Sequence, residues 1–433
     1  MGVAMWNREV ETMRRRDMDA LQLERLQRTV KRVYDTVPFY RARLDGAGIT
    51  PDGVKSLNDL RRIPFTVKDD LRDHYPFGLF AAPMREIVRI HASSGTTGKP
   101  TTVGYTRADL DMWSECVARL VTMAGGGADD IAQIAFGYGL FTGAFGLHGG
   151  LEKIGASVIP MSSGNTEKQI MIMRDFMSTI LVSTPSYAMY MSEALEEQGV
   201  KKSDLKLRIG LFGAEGSTEE MRRQLEHRWG ITATENYGMS ELVGPGVSGE
   251  CTRKTGMHIN EDCFIPEIIN PETGETLEYG QTGELVITTV LKEGIPLLRY
   301  RTKDITRLIP EPCACGRTTM RMAKIQGRSD DMLIIRGVNV FPSQVESVLL
   351  GMAHISPHYQ LVVSKSGYTD VLEVVVELED DALLDSFGQL ETLEKSIKHK
   401  LHVVLGLDAQ VRLAEPKTIE RSTGKAKRVI DLR

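Results

Sequence analysis

The stretch Ser93-Ser94-Gly95-Thr96-Thr97-Gly98-Lys99-Pro100 has the composition of a phosphate-binding loop. Its glycines allow the backbone to turn sharply and to approach an anion, and its hydroxyls and lysine can donate hydrogen bonds to phosphate oxygens. It is not a Walker A loop, because two residues rather than four separate Gly95 from the Gly98-Lys99 pair. A solvated turn rich in Ser, Thr and Gly is the alternative interpretation.

Three other segments carry groups that a nucleotide site needs. Residues 236–241 (NYGMSE) supply a tyrosine whose ring can stack on a purine and a glutamate whose oxygens suit Mg²⁺. Residues 213–216 (GAEG) follow the apolar run RIGLF, and open α/β sheets bind ligands at strand ends of this kind. In residues 300–304 (YRTKD), the Asp304 carboxylate can accept hydrogen bonds from both ribose hydroxyls, and a surface ion cluster is the alternative.

Two further motifs lie toward the C-terminus. Residues 327–331 read GRSDD, a short polar segment that suits a hinge between two domains. Residues 421–428 read RSTGKAKR, which by itself is only a basic tail. Their positions after the other motifs are what make them informative.

In type, order and approximate spacing, these motifs resemble those of the adenylate-forming superfamily of acyl-CoA synthetases, peptide-synthetase adenylation domains and luciferases. Within it, the segments VPFYRARL, FGYGLFTG and RGVNVFPSQVE resemble the phenylacetate–CoA ligases, and the resemblance extends from Trp6 to Arg433. It implies an acid–thiol ligase that uses ATP and Mg²⁺ to adenylate an aryl-acetic acid, foremost phenylacetate, and then transfers the acyl group to CoA. AMP and pyrophosphate would be released, in a pathway of phenylacetate catabolism.

Two alternatives to this activity stay open. The chain could adenylate another aromatic acid or load the thiol of a carrier protein. From a different class, it could be a zinc-containing binding protein without turnover. Dependence of AMP release on CoA distinguishes the implied CoA ligase from the first alternative. Pyrophosphate release from ATP and phenylacetate would exclude the second.

The resemblance also implies roles for individual residues. Lys425 would bridge the carboxylate and the α-phosphate during adenylation, Ser240 would contact the α-phosphate, and Glu241 would hold Mg²⁺. Asp330 would be the hinge residue. The residues implied in binding ATP and AMP are Ser93, Ser94, Gly95, Thr96, Thr97, Gly98, Lys99, Ala214, Glu215, Gly216, Asn236, Tyr237, Gly238, Met239, Asp304 and Arg328.

Aromatic residues interleaved with glycines at residues 136–143 (FGYGLFTG) predict a flat pocket for the acid. Phe136, Tyr138 and Phe141 are its predicted walls, because glycines beside aromatic rings leave room for a planar aryl group. Packing of these rings in the hydrophobic core is the alternative.

Cys251, His258, Cys313 and Cys315 are predicted ligands of a structural zinc. Three cysteines and one histidine form an accepted zinc shell. The two pairs follow motifs that would converge on one nucleotide, so their loops are expected to be neighbours. Cys263 is a competing ligand, and reduced loop cysteines without a metal are the alternative.

Apolar patterning predicts the elements that carry these motifs. Steps of three and four predict an amphipathic helix over residues 6–37, ended by Pro38. The runs DIAQIAFG, ASVIPM, STILVSTP, LRIGLFGAEG and GELVITTVL are typical of buried strands in a mixed α/β sheet. Beyond Gly327, a β-α-β-β-α-β order is expected. The prediction is an α/β protein with a large N-terminal AMP-binding domain at 1–327, with mixed sheets and helices, and a small mobile α+β domain at 328–433.

Composition narrows the class of protein. The 433 residues are too many for one compact core. With 53 basic and 58 acidic residues the net charge is −5, which argues against a general nucleic-acid binder. The sequence contains no apolar stretch long enough for a membrane span and no apolar secretory signal at its start. Five cysteines are too few for a disulfide framework in a chain of this length, and an odd number of cysteines cannot all pair. We therefore expect a cytoplasmic enzyme. We also predict a homodimer.

Overall fold

The computed structural model describes residues 4–93, 100–329, 333–336, 338–366, 369–383 and 386–433. Its α-helices are α1 Arg8–Glu11, α2 Arg15–Thr36, α3 Pro38–Gly46, α4 Lys68–Asp73, α5 Arg107–Met123, α6 Gly143–Lys153, α7 Thr166–Asp175, α8 Pro185–Glu197, α9 Glu219–Trp229, α10 Pro342–Leu349 and α11 Phe387–Leu405. Short 3₁₀ turns lie at Pro51–Gly53, Leu57–Arg62, Met84–Glu86, Lys202–Asp204 and Asp381–Leu383.

The β-strands alternate with these helices along the chain. They are β1 Arg89–Ala92, β2 Thr102–Tyr105, β3 Ile131–Ile134, β4 Ser157–Ile159, β5 Ile180–Ser183, β6 Ile209–Phe212, β7 Thr232–Met239, β8 Gly244–Glu250, β9 Met257–Ile259, β10 Phe264–Ile269 and β11 Gly283–Thr289. The remaining strands are β12 Tyr300–Thr306, β13 Leu308–Ile309, β14 Arg321–Met322, β15 Gly327–Arg328, β16 Leu333–Ile335, β17 Val338–Val340, β18 Ile355–Ser366, β19 Thr369–Leu378, β20 Gln410–Ala414 and β21 Val429–Asp431.

A nine-stranded mixed sheet forms the centre of the large part of the molecule, in the order β13-β14-β9-β8-β7-β6-β5-β3-β4. From β4 to β7 the neighbouring strands are parallel, and from β7 to β13 they are antiparallel. The parallel strands β5 and β6 are fully buried, as expected for apolar strands covered on both faces. Because β6 and β7 are parallel neighbours, the loops at their carboxyl ends lie side by side.

Smaller sheets surround this one. The antiparallel sheet β10-β11-β12-β15 brings the YRTKD segment on β12 against Gly327 and Arg328 on β15. The hairpins β1-β2 and β16-β17 each form a separate two-stranded sheet. Toward the C-terminus, α10 and α11 accompany a four-stranded sheet of order β20-β19-β18-β21.

The predicted α/β class and the buried strands are confirmed. All five apolar runs contain strands, although GELVITTVL (β11) belongs to the antiparallel sheet rather than to the central one. The C-terminal order of elements also agrees with the prediction, with β17 and β21 in addition.

The single helix predicted over residues 6–37 is wrong in its first third. The structure has a short α1, a break, and then α2 from Arg15 to Thr36. The break is held from outside the segment, because Thr318 donates hydrogen bonds from its N–H to the Glu11 carbonyl (3.0 Å) and from its hydroxyl to the Met13 carbonyl (2.7 Å). Pro38 ends α2 as predicted, and it also opens α3 as a first-turn residue.

Hydrophobic side chains cluster in separate cores on the two sides of residue 327. One extended core includes residues between Leu26 and Met322, whereas another contains residues between Leu333 and Val411. The two sides meet where Leu350 packs with the core residues of α8 and α9. Among the described helices, none has the length and apolar character that crossing a membrane requires.

Candidate active site

Three of the predicted nucleotide-binding residues meet between the central sheet and the antiparallel sheet. The Tyr237 hydroxyl, on β7, donates a hydrogen bond to the Asp304 carboxylate on β12 (2.6 Å). The Arg328 guanidinium, on β15, lies 3.7 Å from the same carboxylate. Burial, followed by the Asp304 charge, raises the pKa of Tyr237 well above its usual value, so the phenol keeps the proton that it donates.

The loop GAEG follows β6 directly, as predicted. Its position against β7 is fixed by the Asn236 side-chain amide, which donates a hydrogen bond to the Phe212 carbonyl (2.8 Å). A Cβ atom at Gly213 would lie 2.7 Å from the Asn236 carbonyl oxygen, so this close approach requires glycine. Ala214 then adopts a left-handed φ of 70°. The loop and Tyr237 therefore share one end of the central sheet.

Glu215 has a role that the sequence did not indicate. Its carboxylate accepts hydrogen bonds from the Ser186 N–H (2.7 Å) and from the Ala426 N–H (3.1 Å). Next to it, the Thr184 hydroxyl donates to the Gly424 carbonyl (3.0 Å). The backbone on both sides of Lys425 is thus held at this end of the central sheet, while the Lys425 side chain itself is exposed.

Ser240 and Glu241 lie beside the stem of the predicted phosphate loop. The Thr142 and Ser240 hydroxyls are 3.0 Å apart. Glu241 is 3% exposed and accepts a hydrogen bond from the Thr101 hydroxyl (3.3 Å), which also contacts the Ser93 hydroxyl. The predicted loop residues Ser94, Gly95, Thr96, Thr97, Gly98 and Lys99 lie outside the described residues, as does the predicted hinge Asp330.

Two lysines near Glu241 were missed by the sequence analysis. The Lys68 ammonium lies 3.4 Å from the Glu241 carboxylate. Lys292 is buried and donates to the Glu241 carbonyl (3.1 Å) and the Leu242 carbonyl (2.5 Å), and burial lowers its pKa to about 7. Each is a single lysine in a segment without other motif residues, so nothing in the sequence distinguished it from a surface lysine.

The predicted walls of the acid pocket have different environments. Phe136 and Tyr138 are half-buried, whereas the Phe141 side chain is 50% exposed. The Tyr138 hydroxyl is 3.0 Å from His148 Nδ1, and its ring packs edge-on against Phe145. These contacts fix the Tyr138 ring beside α6.

The four predicted zinc ligands converge in a buried cluster. The ligand atoms of Cys251, His258, Cys313 and Cys315 all lie within 4.8 Å of one another. The Cys251 and Cys313 sulfurs are 3.8 Å apart, and the Cys315 sulfur is 3.4 Å from His258 Nε2.

The competing ligand Cys263 lies elsewhere, with its sulfur 3.6 Å from that of Cys116. The other ring nitrogen of His258, Nδ1, contacts the Thr319 hydroxyl (3.1 Å), which orients Nε2 toward the sulfurs. A hydrogen bond from the Cys251 thiol lowers the pKa of Cys315, which favours a thiolate in the cluster.

Known protein families match most of the chain. The family model for the AMP-binding enzyme matches residues 50–290, and the model for the AMP-binding enzyme C-terminal domain matches residues 337–433. The chain belongs to the AMP-binding enzyme family. The site described above, at the carboxyl ends of β6 and β7, lies within the first of the two matched regions apart from Asp304, Arg328 and the Lys425 loop.

Among AMP-binding enzymes, the chain is similar over nearly its whole length to phenylacetate–CoA ligases. The phenylacetate-coenzyme A ligase of Escherichia coli (strain K12) is 50% identical over 426 residues, which cover 98% of this chain and 97% of that protein. The phenylacetate-coenzyme A ligase of Aromatoleum evansii is 51% identical over 427 residues, covering 98% and 96%. The predicted enzyme class, an ATP-dependent acid–thiol ligase that forms AMP, is therefore confirmed.

Solved structures of 2-hydroxyisobutyryl-CoA ligase also match this AMP-binding enzyme. They are 29% identical and cover 99% of this chain and 92% of theirs. The TM-score is 0.93 for the postadenylation state in complex with R3-HIB-AMP, and 0.73 for the thioesterification state in complex with 2-HIB-AMP and CoA. Because both scores concern the same protein, their difference reflects the arrangement of its parts. The present structure has an arrangement like that of the postadenylation state.

Proposed function

We propose that this enzyme adenylates phenylacetate, or a closely related aryl-acetic acid, and transfers the acyl group to CoA. The choice of acid is supported by the similarity to ligases named for phenylacetate. About half of all residues are identical, and the similarity covers nearly the whole of both chains. In the first step a carboxylate oxygen attacks the α-phosphorus of ATP and the bond to pyrophosphate breaks. In the second, the CoA sulfur attacks the acyl carbon and AMP leaves.

Both reactants of the first step are anions, so the protein must supply positive charge and hydrogen-bond donors in fixed positions. Tyr237 would stack on the adenine, while its hydroxyl orients Asp304 toward the ribose hydroxyls. Arg328, on the neighbouring strand, would help to hold the same ribose. Support for this assignment is the contact of the three side chains at one end of the sheet.

The remaining contacts to the nucleotide are assigned to segments that lie next to these three residues or are part of the predicted phosphate loop. Residues 93–99 would hold the β- and γ-phosphates. The loop at Ala214, Glu215 and Gly216, together with Asn236, Gly238 and Met239, would enclose the adenine. Ser240 would donate a hydrogen bond to the α-phosphate.

Glu241 fits a site for Mg²⁺. It presents a buried carboxylate beside the Thr101 hydroxyl, and Mg²⁺ in ATP-dependent enzymes is bound by one or two carboxylates together with substrate phosphates. When bound, the ion would neutralise charge on the phosphates. Lys68 and Lys292 keep Glu241 in place through its carboxylate and its carbonyl.

Lys425 would contribute its charge only when the C-terminal part lies against the large part. We propose that two domains, residues 1–327 and 328–433, change their arrangement between the two half-reactions, with Asp330 as the hinge. Separate hydrophobic cores on the two sides of residue 327 support this division. The two contacts that flank Lys425, made by Thr184 and Glu215, support its placement for adenylation.

The four-residue cluster fits a structural zinc. Tetrahedral bonds of about 2.3 Å place two thiolates about 3.8 Å apart, which agrees with the Cys251–Cys313 separation of 3.8 Å. Four protein ligands complete the shell, so the metal would leave no position for substrate and would act on stability alone. It would tie the loop at Cys313 and Cys315 to the strand β9, which carries His258. A homodimer and a cytoplasmic location stay predictions.

The identity of the acid is tested by comparing substrates. Burial of an aromatic ring between Phe136, Tyr138 and Phe141 would contribute roughly 1–3 kcal/mol. Phenylacetate should therefore exceed acetate and a medium-chain fatty acid in kcat/KM for pyrophosphate exchange by at least about tenfold. A preference for either alkyl acid would contradict the proposed substrate.

Replacement of Lys425 tests the adenylation geometry. Lys425→Ala should reduce acyl-AMP formation by several orders of magnitude, because the charge between carboxylate and α-phosphate is lost. Thioester formation from supplied acyl-AMP should survive much better. Lys427→Ala, at an exposed lysine two residues further on, is the matched control and should behave like the wild type. Equal losses in both half-reactions of Lys425→Ala would rule out this role.

Elemental analysis tests the metal. Protein purified without added metal should contain about one zinc per chain, as expected for a single closed shell. Removal of the zinc, or Cys315→Ser, should lower the thermal midpoint, since the metal couples to folding. Cys263→Ser lies outside the cluster and should keep the zinc. Metal-free wild-type protein, with all four side chains reactive to thiol and imidazole reagents, would show that the cysteines are merely reduced.

A further inference from the structure

Glu193 connects the large part of the enzyme to the C-terminal part. It lies on α8, one of the helices that flank the central sheet. Its carboxylate is 2.8 Å from His358 Nε2, on β18, and it accepts a hydrogen bond from the Arg421 guanidinium (3.3 Å). The nearby Arg228, on α9, adds further positive charge. One carboxylate of the large part thus contacts both the His358 imidazole and the Arg421 guanidinium of the C-terminal part.

Arg421 is held rigidly within the C-terminal part. Its two terminal nitrogens donate to the Glu377 carboxylate at 2.8 and 2.7 Å, and Glu377 is almost fully buried. The same carboxylate accepts hydrogen bonds from the Ile419 N–H (2.9 Å) and the Ser356 hydroxyl (3.1 Å). A paired guanidinium of this kind has a fixed orientation. Its contact with Glu193 therefore fixes the position of the chain around it, not only that of a flexible side chain.

The segment fixed by Arg421 leads directly to Lys425, four residues later. Thr184, which caps the start of α8, holds the Gly424 carbonyl, and Glu193 lies further along the same helix. Since α8 contacts the segment at both places, it sets the position from which Lys425 approaches the active site.

We propose that Glu193 is a positioning residue for the adenylation half-reaction, which holds the C-terminal part in place through His358 and Arg421. This inference rests on the proposed role of Lys425. The present arrangement resembles a postadenylation state far more than a thioesterification state of the same ligase. An ion pair that spans the two parts stabilises the arrangement in which it forms relative to others.

The charge of Glu193 is suited to this role. Burial by itself would raise the pKa of Glu193, but the hydrogen bond and charge of His358, with Arg421 and Arg228, outweigh it and lower the pKa. The carboxylate is thus ionised at neutral pH. Removal of the Glu193 charge would leave its partly buried partners without a counter-charge. Such a removal destabilises the arrangement more than the loss of an exposed ion pair does.

The same helix offers a matched control. Glu197, one turn after Glu193, also forms an ion pair with the C-terminal part, at Lys417. The side chains of both residues in this pair are largely exposed. Exposed pairs contribute little because water and salt screen them. A comparison of Glu193→Gln with Glu197→Gln therefore separates a specific positioning contact from a general loss of charge on α8.

Rates of the two half-reactions test the inference. Glu193→Gln should slow acyl-AMP formation about tenfold, whereas thioester formation from supplied acyl-AMP should stay within about twofold of wild type. Glu197→Gln should change neither rate by more than about twofold. The wild-type rates, measured first with phenylacetate, test the proposed function, and the ratio of variant to wild type tests Glu193. Equal slowing of both half-reactions, or no slowing of either, would overturn the inference.

Two further measurements exclude a purely structural effect. The double variant Glu193→Gln/His358→Gln should be no slower in adenylation than the slower of the two single variants, because both remove one shared contact. Additive losses would overturn the inference. Spin labels at Lys168→Cys and Lys395→Cys, both exposed, should show a broader distance distribution in the Glu193→Gln background, independently of any activity. An unchanged distribution would contradict it.

Discussion

The attack of one anion on another is the constraint on which this structure depends. A carboxylate reaches the α-phosphate of ATP only where positive charge and hydrogen-bond donors are already assembled around both. We propose that the chain meets this requirement at the carboxyl ends of β6 and β7, where loops from several distant segments converge. Tyr237, Asp304 and Arg328 form one side of that site, and Glu241 with Lys68 forms another.

A site assembled from so many segments depends on how the C-terminal part is docked. Hydrogen bonds from Thr184 and to Glu215 hold the backbone on both sides of Lys425, while Glu193 holds Arg421 a few residues before it. These contacts are polar, and polar contacts of this kind can be exchanged for others at small net cost. Contacts of this kind suit the proposed change of arrangement between the two half-reactions.

Much of the site could be predicted because its residues stand in motifs whose types and order are informative together. Tyr237, Asp304 and Arg328 were expected to share a nucleotide, and the structure brings them into contact. The four zinc-ligand candidates were expected to be neighbours on the same reasoning, and their ligand atoms are adjacent. In each case the local sequence carries the chemical group, and the resemblance supplies which segments converge.

Residues defined by tertiary contacts could not be found in this way. Lys68, Lys292 and Glu193 are isolated charged residues whose partners come from other segments, so no spacing marks them. The N-terminal helix was predicted too long for a similar reason. Its apolar periodicity continues toward residue 6. Thr318, which is distant in the sequence, donates hydrogen bonds to the carbonyls of Glu11 and Met13, and the helix is interrupted there. Periodicity reports which face is buried, not which backbone groups a distant residue binds.

The path of a carboxylate oxygen tests the central chemistry most directly. Phenylacetate labelled with ¹⁸O in both carboxylate positions would be converted with ATP and CoA, and the nucleotide and phosphate products analysed by mass spectrometry. Attack of the carboxylate on the α-phosphorus leaves one labelled oxygen in AMP when CoA displaces it from the acyl carbon. We expect one ¹⁸O in each AMP and none in pyrophosphate. Label in inorganic phosphate, with ADP as the nucleotide product, would contradict an acyl-AMP intermediate.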